Sequence, residues 1–221
     1  MTSAAVQVIA DGPIRALLWD VDGTLAETEL NGHRQAFNRS FAEERLPWHW
    51  TVDTYLQLLR ISGGRERMRC HAEHLGASLT DAQIERLQQR KQWHYEALVR
   101  EGAVALRIGV TRLIQEAAAA GLQQAIVTTS GRNSVQALAD RHADALQAFD
   151  FWICGEDVGR KKPDPEGYRL ATQRLGLRPA EILVIEDSRN GLEAAAAAGL
   201  NCLVTLSDSS HCEVGPDGRS G

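Results

Sequence analysis

Five short apolar runs, separated by stretches with a helical pattern, constrain the fold of this chain more than any other feature of its sequence. The runs lie at residues 16–19, 124–128, 151–154, 182–185 and 202–205, and each has the length of a buried strand. Strands that alternate with helices are typical of α/β proteins, in which helices cover both faces of a parallel sheet. The sequence therefore predicts a Rossmann-like, doubly wound parallel sheet.

Two of the connections from a predicted helix to the next strand share one sequence pattern. An alanine-rich segment is followed by Gly121 and Leu122 in one case, and by Gly199 and Leu200 in the other. Glycine directly after a helix is typical of a C-terminal cap, because it adopts the left-handed backbone conformation without steric cost. Both glycines are therefore predicted to end helices that lead into strands.

The segment between the first and second runs, residues 27–101, is far longer than a crossover helix requires. Phe37 and Phe41 are four residues apart, as on one helix face, and Thr80-Asp81-Ala82-Gln83 has the pattern of a helix-capping box. We therefore predict an inserted helical cap domain that leaves the core beside the first strand and covers the strand ends. Three aromatic residues of this segment, Trp48, Trp50 and Tyr55, belong either to the cap core or to a ligand-stacking surface.

The predicted cap divides the chain into three parts. Residues 13–26 and 102–207 form a discontinuous core domain, and residues 27–101 form the cap. The remaining residues, 208–221, are polar and rich in glycine and serine, so we expect a disordered tail.

Composition excludes several classes of partner. The chain has 24 basic and 29 acidic residues, a net charge of -5, and no basic block, so we expect no binding to nucleic acid. Its four cysteines form no CxxC pair, which favours reduced thiols over a disulfide framework or a zinc site. We find neither a secretory pattern at the start nor an apolar run long enough for a bilayer, and we expect a cytoplasmic monomer without membrane contact.

An acidic motif, Asp20-Val21-Asp22-Gly23-Thr24, follows the first apolar run directly. Two carboxylates this close resist joint ionisation unless a cation lies between them, so the motif indicates either a bound metal or a raised pKa. A calcium loop is excluded, because Leu25 and Asn31 stand where that loop needs glycine and glutamate. A simple polar turn remains the structural alternative.

Reactive side chains also follow three of the other runs. Thr128, Thr129 and Ser130 come after the second, Lys161 and Lys162 after the third, and Glu186 and Asp187 after the fourth. Each group also fits a plain structural interpretation: a helix-capping turn, a solvated lysine pair or a helix N-terminal charge pair. Because parallel strands present their carboxyl ends at one edge, the groups together predict a site for a divalent cation and a phosphate.

In this order the motifs resemble those of haloacid dehalogenase superfamily phosphatases with a helical cap. They stand here as residues 20–24, Thr128, residues 162–165 and residues 186–188. Within that superfamily, the sequence at residues 27–29, 32–38 and 63–67 is similar to the CbbY-type sugar-phosphate phosphatases. Those enzymes act on xylulose 1,5-bisphosphate, and β-phosphoglucomutase is a near relative.

The resemblance implies a reaction at the acidic motif. Asp20 would attack the phosphorus atom and form an aspartyl phosphate, while Asp22 would protonate the departing sugar oxygen and later accept a proton from water. Mg²⁺ would be held by an Asp20 oxygen, the Asp22 backbone carbonyl and Asp187. Glu186 would coordinate it directly or through water.

The same resemblance implies which residues bind the substrate, a small phosphorylated sugar. Thr128 and Lys162 would hold the transferring oxygens, and Lys162 fits better than Lys161 because family members place this lysine directly before a proline. The further candidates are Thr129 and Ser130 in the core and four residues in the cap, namely Arg65, Lys91, His33 and Arg67. For the cap residues, and for Lys91 above all, a solvated helix face is the alternative.

Three functions remain open at this point. The first is a magnesium-dependent phosphatase, and the second is a phosphomutase of the same fold. Thr24, which follows the motif glycine, favours the phosphatase on the family resemblance. The third is a catalytically idle binding protein, for which we expect loss of the nucleophile or the lysine, and both are present.

Overall fold

A computed structural model of the chain describes residues 13–210. Of the predicted disordered tail, residues 208–210 form a turn, and residues 211–221 lie outside the described part. Within residues 13–210, no helix combines the length and the apolar character needed to cross a bilayer.

A five-stranded parallel sheet forms the centre of the core. The strands are β1 (Ala16–Trp19), β2 (Gln123–Val127), β3 (Phe151–Ile153), β4 (Ile182–Glu186) and β5 (Asn201–Val204). Their order is β3-β2-β1-β4-β5, so the chain builds outward from β1 first in one direction and then in the other. The predicted fold class is confirmed, and β1 lies at the switch point where such sheets bind ligands.

Helices cover both faces of this sheet. They are α5 (Val110–Ala119), α6 (Arg132–Arg141), α7 (Ala143–Leu146), α8 (Glu166–Leu175) and α9 (Arg189–Ala197). Alternate residues of β1 enter opposite hydrophobic clusters, with Trp19 in one and Leu18 in the other. Because successive strand side chains point to opposite faces, one short strand anchors both layers.

Both predicted glycine caps are present. Gly121 and Gly199 have φ values of 74° and 75°, and each follows an alanine-rich helix, α5 and α9 respectively. Past Gly199, the amide of Leu200 donates to the carbonyl of Ala195 over 3.0 Å. This bond closes the last helical turn and directs the chain into β5.

Four helices lie within the predicted cap segment. A π-helical turn, Glu29–His33, leads into α1 (Arg34–Glu43), and α2 (Val52–Leu58), α3 (Gly64–His74) and α4 (Asp81–Arg100) follow. The predicted capping box of Thr80 and Gln83 starts α4. These helices share a hydrophobic cluster that contains all three cap aromatics named above, Trp48, Trp50 and Tyr55. The exact domain bounds stay a prediction.

The two connections between this helical segment and the sheet pair with each other. Ala26 and Leu106 form an antiparallel bridge, the Glu27 amide donates to Ala105 over 3.3 Å, and the Arg107 amide donates to Leu25 over 2.9 Å. The helical segment therefore leaves and re-enters the core side by side, directly after the acidic motif.

Candidate active site

The reactive side chains predicted from the strand ends meet at the carboxyl edge of the sheet. Asp20 follows β1, and its amide donates to the Ile185 carbonyl of β4 over 3.0 Å. Glu186 is the last residue of β4, and Asp187 follows it. Their position is a direct consequence of parallel pairing, because all the strands end at the same edge.

Three buried carboxylates form a compact acid cluster in this region. One oxygen from each of Asp20, Glu186 and Asp187 lies within 4.8 Å of the others. Burial and the neighbouring Glu186 raise the pKa of Asp20 well above its usual range, although Lys162 opposes this. Burial, together with Glu186, likewise raises the pKa of Asp187 to about 8, against a hydrogen bond from Ser207. Burial and mutual repulsion therefore both oppose full ionisation of the cluster.

Lys162 is the cation within this cluster. Its Nζ atom donates to Asp20 Oδ1 over 2.7 Å, to Glu186 Oε1 over 2.5 Å and to the Val127 carbonyl over 2.8 Å. Despite burial, these carboxylates keep the pKa of Lys162 well above its usual value. Lys161 instead forms an ion pair with Glu66 of α3 over 3.2 Å. Of the two adjacent lysines, the structure brings Lys162 to the acids, as predicted.

Glu186 is held by groups from three segments. Its Oε2 atom accepts hydrogen bonds of 3.0 and 3.1 Å from the amides of Asp187 and Ser188, and Tyr168 donates to Oε1 over 3.0 Å. At Gly191, a Cβ atom would collide with the Glu186 carboxyl group. The start of α9 is therefore shaped around this carboxylate.

The acid cluster fits a divalent cation by the chemistry of its donors. Mg²⁺ and Ca²⁺ prefer carboxylate oxygens, and Asp20, Glu186 and Asp187 supply three of them at short range. Among the described residues the cluster contains no thiolate or imidazole, the donors that zinc and copper favour. A cation would also offset the burial and the repulsion from Glu186 that raise the pKa of Asp187.

The Asp22 carboxylate lies outside the acid cluster and has its own set of partners. Ser130 donates to Oδ2 over 2.5 Å, and Thr28 donates to Oδ1 over the same distance. His33 Nε2 lies 2.9 Å from Oδ1. Burial opposes ionisation of Asp22, but His33 and the hydroxyls of Ser130 and Thr28 hold its pKa well below the usual range. In the free protein Asp22 is therefore a carboxylate that can accept a proton.

A second buried lysine stands behind His33. Lys91 Nζ of α4 lies 2.9 Å from His33 Nδ1 and above the rings of Phe37 and Tyr95. Burial lowers the pKa of Lys91 to about 8, although the nearby Asp22 and Glu29 favour its charge. When Lys91 is an ammonium group, which only donates, a hydrogen bond between the two side chains has His33 Nδ1 as its acceptor and leaves a ring proton on Nε2, toward Asp22.

The three hydroxyl residues after β2 lie in different surroundings. Thr128 is buried, and its Oγ1 atom accepts from the amide of Ser130 over 3.1 Å. Ser130 contacts Asp22, as described above, and Thr129 reaches the open space around the acids. Of these three residues, Thr129 and Ser130 thus border the candidate substrate space.

Two connected clefts separate the cap helices from the strand ends. The inner cleft is lined by Asp20, Asp22, Lys162 and Asp187, together with Glu29 and Arg67 from the cap. The outer cleft shares Asp22, Glu29, Arg67 and Thr129 with it and adds further residues, including His33, Arg65, Lys91 and Lys161. The structure therefore brings all four predicted cap residues to the space above the acids.

Two of those cap arginines have structural partners. Arg65 is half exposed and forms an ion pair with Glu85 over 2.6 Å. Arg67 is buried and donates to the carbonyls of Leu58 and Ile61 and to the hydroxyl of Tyr55, at 3.1 to 3.2 Å. Arg65 is thus free to exchange its partner for a ligand at the surface, while Arg67 holds the cap wall together.

Sequence reasoning missed several residues of the inner cleft. Glu29 faces it from the cap, and Asn190, Ser209 and Ser210 line its rim. Glu29 lies only nine residues after Asp20, and its proximity to the acidic motif was a usable signal. Ser209 and Ser210 follow β5, in the segment for which the sequence predicted a disordered tail.

Comparison with known proteins identifies the class of this chain. A model of haloacid dehalogenase-like hydrolases matches residues 14–199. The chain therefore belongs to the haloacid dehalogenase-like hydrolases, and the predicted enzyme class is confirmed.

Individual relatives narrow the resemblance. Protein CbbY of Rhodobacter capsulatus is 47% identical over 197 residues, which cover 88% of this chain and 86% of the relative. Validoxylamine A 7'-phosphate phosphatase of Streptomyces hygroscopicus subsp. limoneus is 31% identical over 189 residues, with coverage of 86% and 84%. The crystal structure of CbbY from Rhodobacter sphaeroides in complex with xylulose 1,5-bisphosphate matches with a TM-score of 0.85 and 40% identity, over 90% of this chain and 89% of that one. The predicted similarity to CbbY is confirmed.

Proposed function

We propose that this protein is a Mg²⁺-dependent phosphatase that hydrolyses a small phosphorylated sugar, with xylulose 1,5-bisphosphate as the leading candidate. One observation carries the proposal: the Asp20 carboxylate contacts Lys162 and lies within 4.8 Å of two further acids, below two connected clefts to which the cap contributes Arg65, Arg67 and Lys91 as well as Glu29. An anionic substrate held there would present its phosphorus atom to a carboxylate oxygen.

Asp20 is the proposed nucleophile. Its free carboxylate oxygen bonds to phosphorus while the bond from phosphorus to the sugar oxygen breaks, which leaves an aspartyl phosphate. Water then attacks the same phosphorus atom, inorganic phosphate leaves, and the Asp20 carboxylate is regenerated. Lys162 offsets negative charge on the transferring oxygens in both steps.

Asp22 is the proposed acid and base. It protonates the departing sugar oxygen in the first step and accepts the proton of the attacking water in the second. Hydrogen bonds from Ser130, Thr28 and His33 favour the carboxylate form, which serves the second step. The negative charge of a bound phosphate raises the pKa of Asp22 and so favours the protonated form for the first.

Asp20, Asp187 and Glu186, together with the Asp22 backbone carbonyl, are the proposed cation ligands. A bound Mg²⁺ supplies charge neutralisation, so that an anionic phosphate can approach an anionic nucleophile. Within this arrangement Glu186 accepts hydrogen bonds from Lys162 and from four further donor groups, which suits a ligand that acts directly or through water.

Substrate choice is proposed to depend on the cap. Lys91 and Arg65 face the outer cleft, away from the acid cluster, where a second phosphate or a sugar hydroxyl of a bound sugar bisphosphate would lie. His33 and Arg67 complete that side of the cleft. The bisphosphate bound to the related CbbY from Rhodobacter sphaeroides supports a substrate with two phosphate groups.

Replacement of the nucleophile tests the proposal. We expect Asp20→Asn to lower turnover by at least about 10³-fold, because an amide cannot form the acyl phosphate. Asp81→Asn, at an exposed position of α4, is the matched control and should keep the wild-type rate. Phosphate release from a panel of sugar phosphates, with and without Mg²⁺, measures both, and circular dichroism checks the fold. Wild-type turnover by the Asp20 variant refutes the assignment.

A phosphomutase of the same fold is the alternative. It would use the same aspartyl phosphate but return the phosphoryl group to another sugar oxygen. Product analysis separates the two functions, because a phosphatase releases inorganic phosphate and a mutase yields an isomeric sugar phosphate.

A further inference from the structure

The loop after β5 contributes a serine to the acid cluster. Ser207 is 1% exposed, and its Oγ atom donates to Asp187 Oδ2 over 2.6 Å. The other nearby hydroxyl, Thr24, reaches Asp187 Oδ1 only at 3.4 Å. Ser207 therefore makes the short side-chain hydrogen bond to this carboxylate.

The local structure of the loop directs the Ser207 hydroxyl. The backbone amide of Ser210 donates to Ser207 Oγ over 3.1 Å, which occupies an acceptor position. A hydroxyl has one hydrogen, and a cation-bound carboxylate can only accept. Ser207 Oγ also lies 3.0 Å from the hydroxyls of Ser209 and Ser210. Asp187 Oδ2 is nearer, at 2.6 Å, and is anionic when a cation is bound, so it is the preferred acceptor of the Ser207 proton.

The Asp187 carboxylate is also confined from the opposite side. A Cβ atom at Gly23 would collide with Asp187 Oδ2 and would lie 3.0 Å from Ser207 Oγ. The backbone of the acidic motif and the Ser207 hydroxyl therefore enclose one oxygen of Asp187, and its other oxygen remains for a ligand.

The loop itself is anchored by Arg107, in the second connection to the cap. Arg107 donates to the Leu206 carbonyl over 2.5 Å and to Thr205 Oγ1 over 2.9 Å. It also donates to the carbonyl of Gly23 over 2.7 Å. One guanidinium thus joins the acidic-motif loop to the segment directly before Ser207, and it fixes the distance between them.

We propose that Ser207 is a positioning residue that orients the Asp187 carboxylate for cation binding. The inference rests on the proposed function, since it assumes that Asp187 is a ligand. A side chain that orients a metal ligand usually raises the affinity for the metal by about 10- to 100-fold. Ser207 acts on the cation through Asp187 and has no direct role in phosphoryl transfer.

Cation affinity in the absence of substrate is the test. We expect Ser207→Ala to weaken Mn²⁺ binding by roughly tenfold or more, measured by electron paramagnetic resonance on the full chain well below its unfolding temperature. At saturating Mg²⁺ the KM for substrate should be close to that of the wild type. Ser40→Ala is the matched control, because Ser40 is also fully buried and its hydroxyl donates to a backbone carbonyl, that of Phe37, over 2.7 Å.

A second variant keeps the test decisive if Ser207→Ala does not fold. Ser207→Cys keeps the size of the side chain but replaces a strong donor by a weak one, so it should also bind Mn²⁺ less tightly. A folded Ser207 variant with wild-type Mn²⁺ affinity overturns the inference and leaves the proposed phosphatase intact. If the wild-type chain binds no Mn²⁺, the proposed cation site fails and the inference fails with it.

Discussion

At the scale of single residues, the three aspartates of one cleft differ in pKa because different groups contact them. Asp22 accepts hydrogen bonds from three donors, which keep its pKa well below the usual range. Burial raises the pKa of Asp20 and Asp187, although Lys162 opposes this at Asp20 and Ser207 at Asp187. The same side chain therefore ionises readily at Asp22, the proposed base, and less readily at Asp187, the proposed ligand, whose ionisation a bound cation would favour.

Lys91 should make substrate capture depend on pH. Burial lowers the pKa of Lys91 to about 8, so its charge is lost as the pH rises through that value. We expect kcat/KM for a sugar bisphosphate to fall about tenfold between pH 7 and pH 9, since this ratio reports the free enzyme. Initial rates across that pH range provide the measurement.

Two lysine variants test whether Lys91 causes this pH dependence of kcat/KM. Lys91→Met should have a lower kcat/KM throughout and should lack the decline near pH 8. Lys161→Met, whose parent side chain pairs with Glu66, should retain it. An unchanged decline in the Lys91 variant would exclude Lys91 as its source.

At the scale of helices and strands, local sequence patterns carried most of the information. The predicted strand bounds differ from the observed ones by one residue at most. A short apolar run between polar residues is typical of a buried strand, so its ends are marked in the sequence. The capping box of α4 and the glycines after α5 and α9 were also predictable, since each depends on neighbours within four residues.

Gly199 tests the role of those caps. Its φ of 75° is unfavourable for any residue with a Cβ atom, and a Cβ atom there would meet nothing within 4 Å. We therefore expect Gly199→Ala to lower the free energy of unfolding by about 1–2 kcal/mol through backbone strain alone. Chemical denaturation monitored by circular dichroism gives this value.

Gly159→Ala is the control for that substitution. A Cβ atom at Gly159 would make an ordinary contact of 3.6 Å with Glu166, and its backbone is not left-handed. We expect a change within about 0.5 kcal/mol. Equal losses in both variants would show that the left-handed conformation is not the cause.

At the scale of the whole molecule, the site exists because segments far apart in the chain meet at one sheet edge. Lys162 contacts Asp20 across 142 residues, and Ser130 contacts Asp22 across 108. The cap closes over this edge through Lys161 and Glu66, and Asn190 donates to Ser62 over 3.2 Å. Core and cap therefore both contribute to the electrostatics of the cleft.

Cation binding should stabilise the folded chain as a whole. Mg²⁺ at about 100 times its Kd contributes about 2.7 kcal/mol, which corresponds to a rise in Tm of roughly 5 to 10 °C for a chain of this size. Differential scanning calorimetry with Mg²⁺ and then with a chelator measures the shift.

Asp187→Asn provides the control for that measurement, because it removes a carboxylate of the acid cluster. The variant should show little shift, and NaCl at equal ionic strength should not reproduce the effect of Mg²⁺. A wild-type Tm that does not respond to Mg²⁺ would contradict the proposed cation site.

The sequence by itself determined the alternation of strands and helices, the polar residues after most strands and the choice of Lys162 over Lys161. The strands, helices and polar strand ends depend on near neighbours along the chain, and the choice of Lys162 depends on its place directly before a proline. Only the tertiary structure decided that Ser130 and His33 hold Asp22, that Glu29 faces the acids and that Ser207 and Arg107 complete the site. The physical reason is that a hydrogen bond needs two groups within about 3 Å of each other, and for residues distant in sequence that separation is set by how the strands and connections pack.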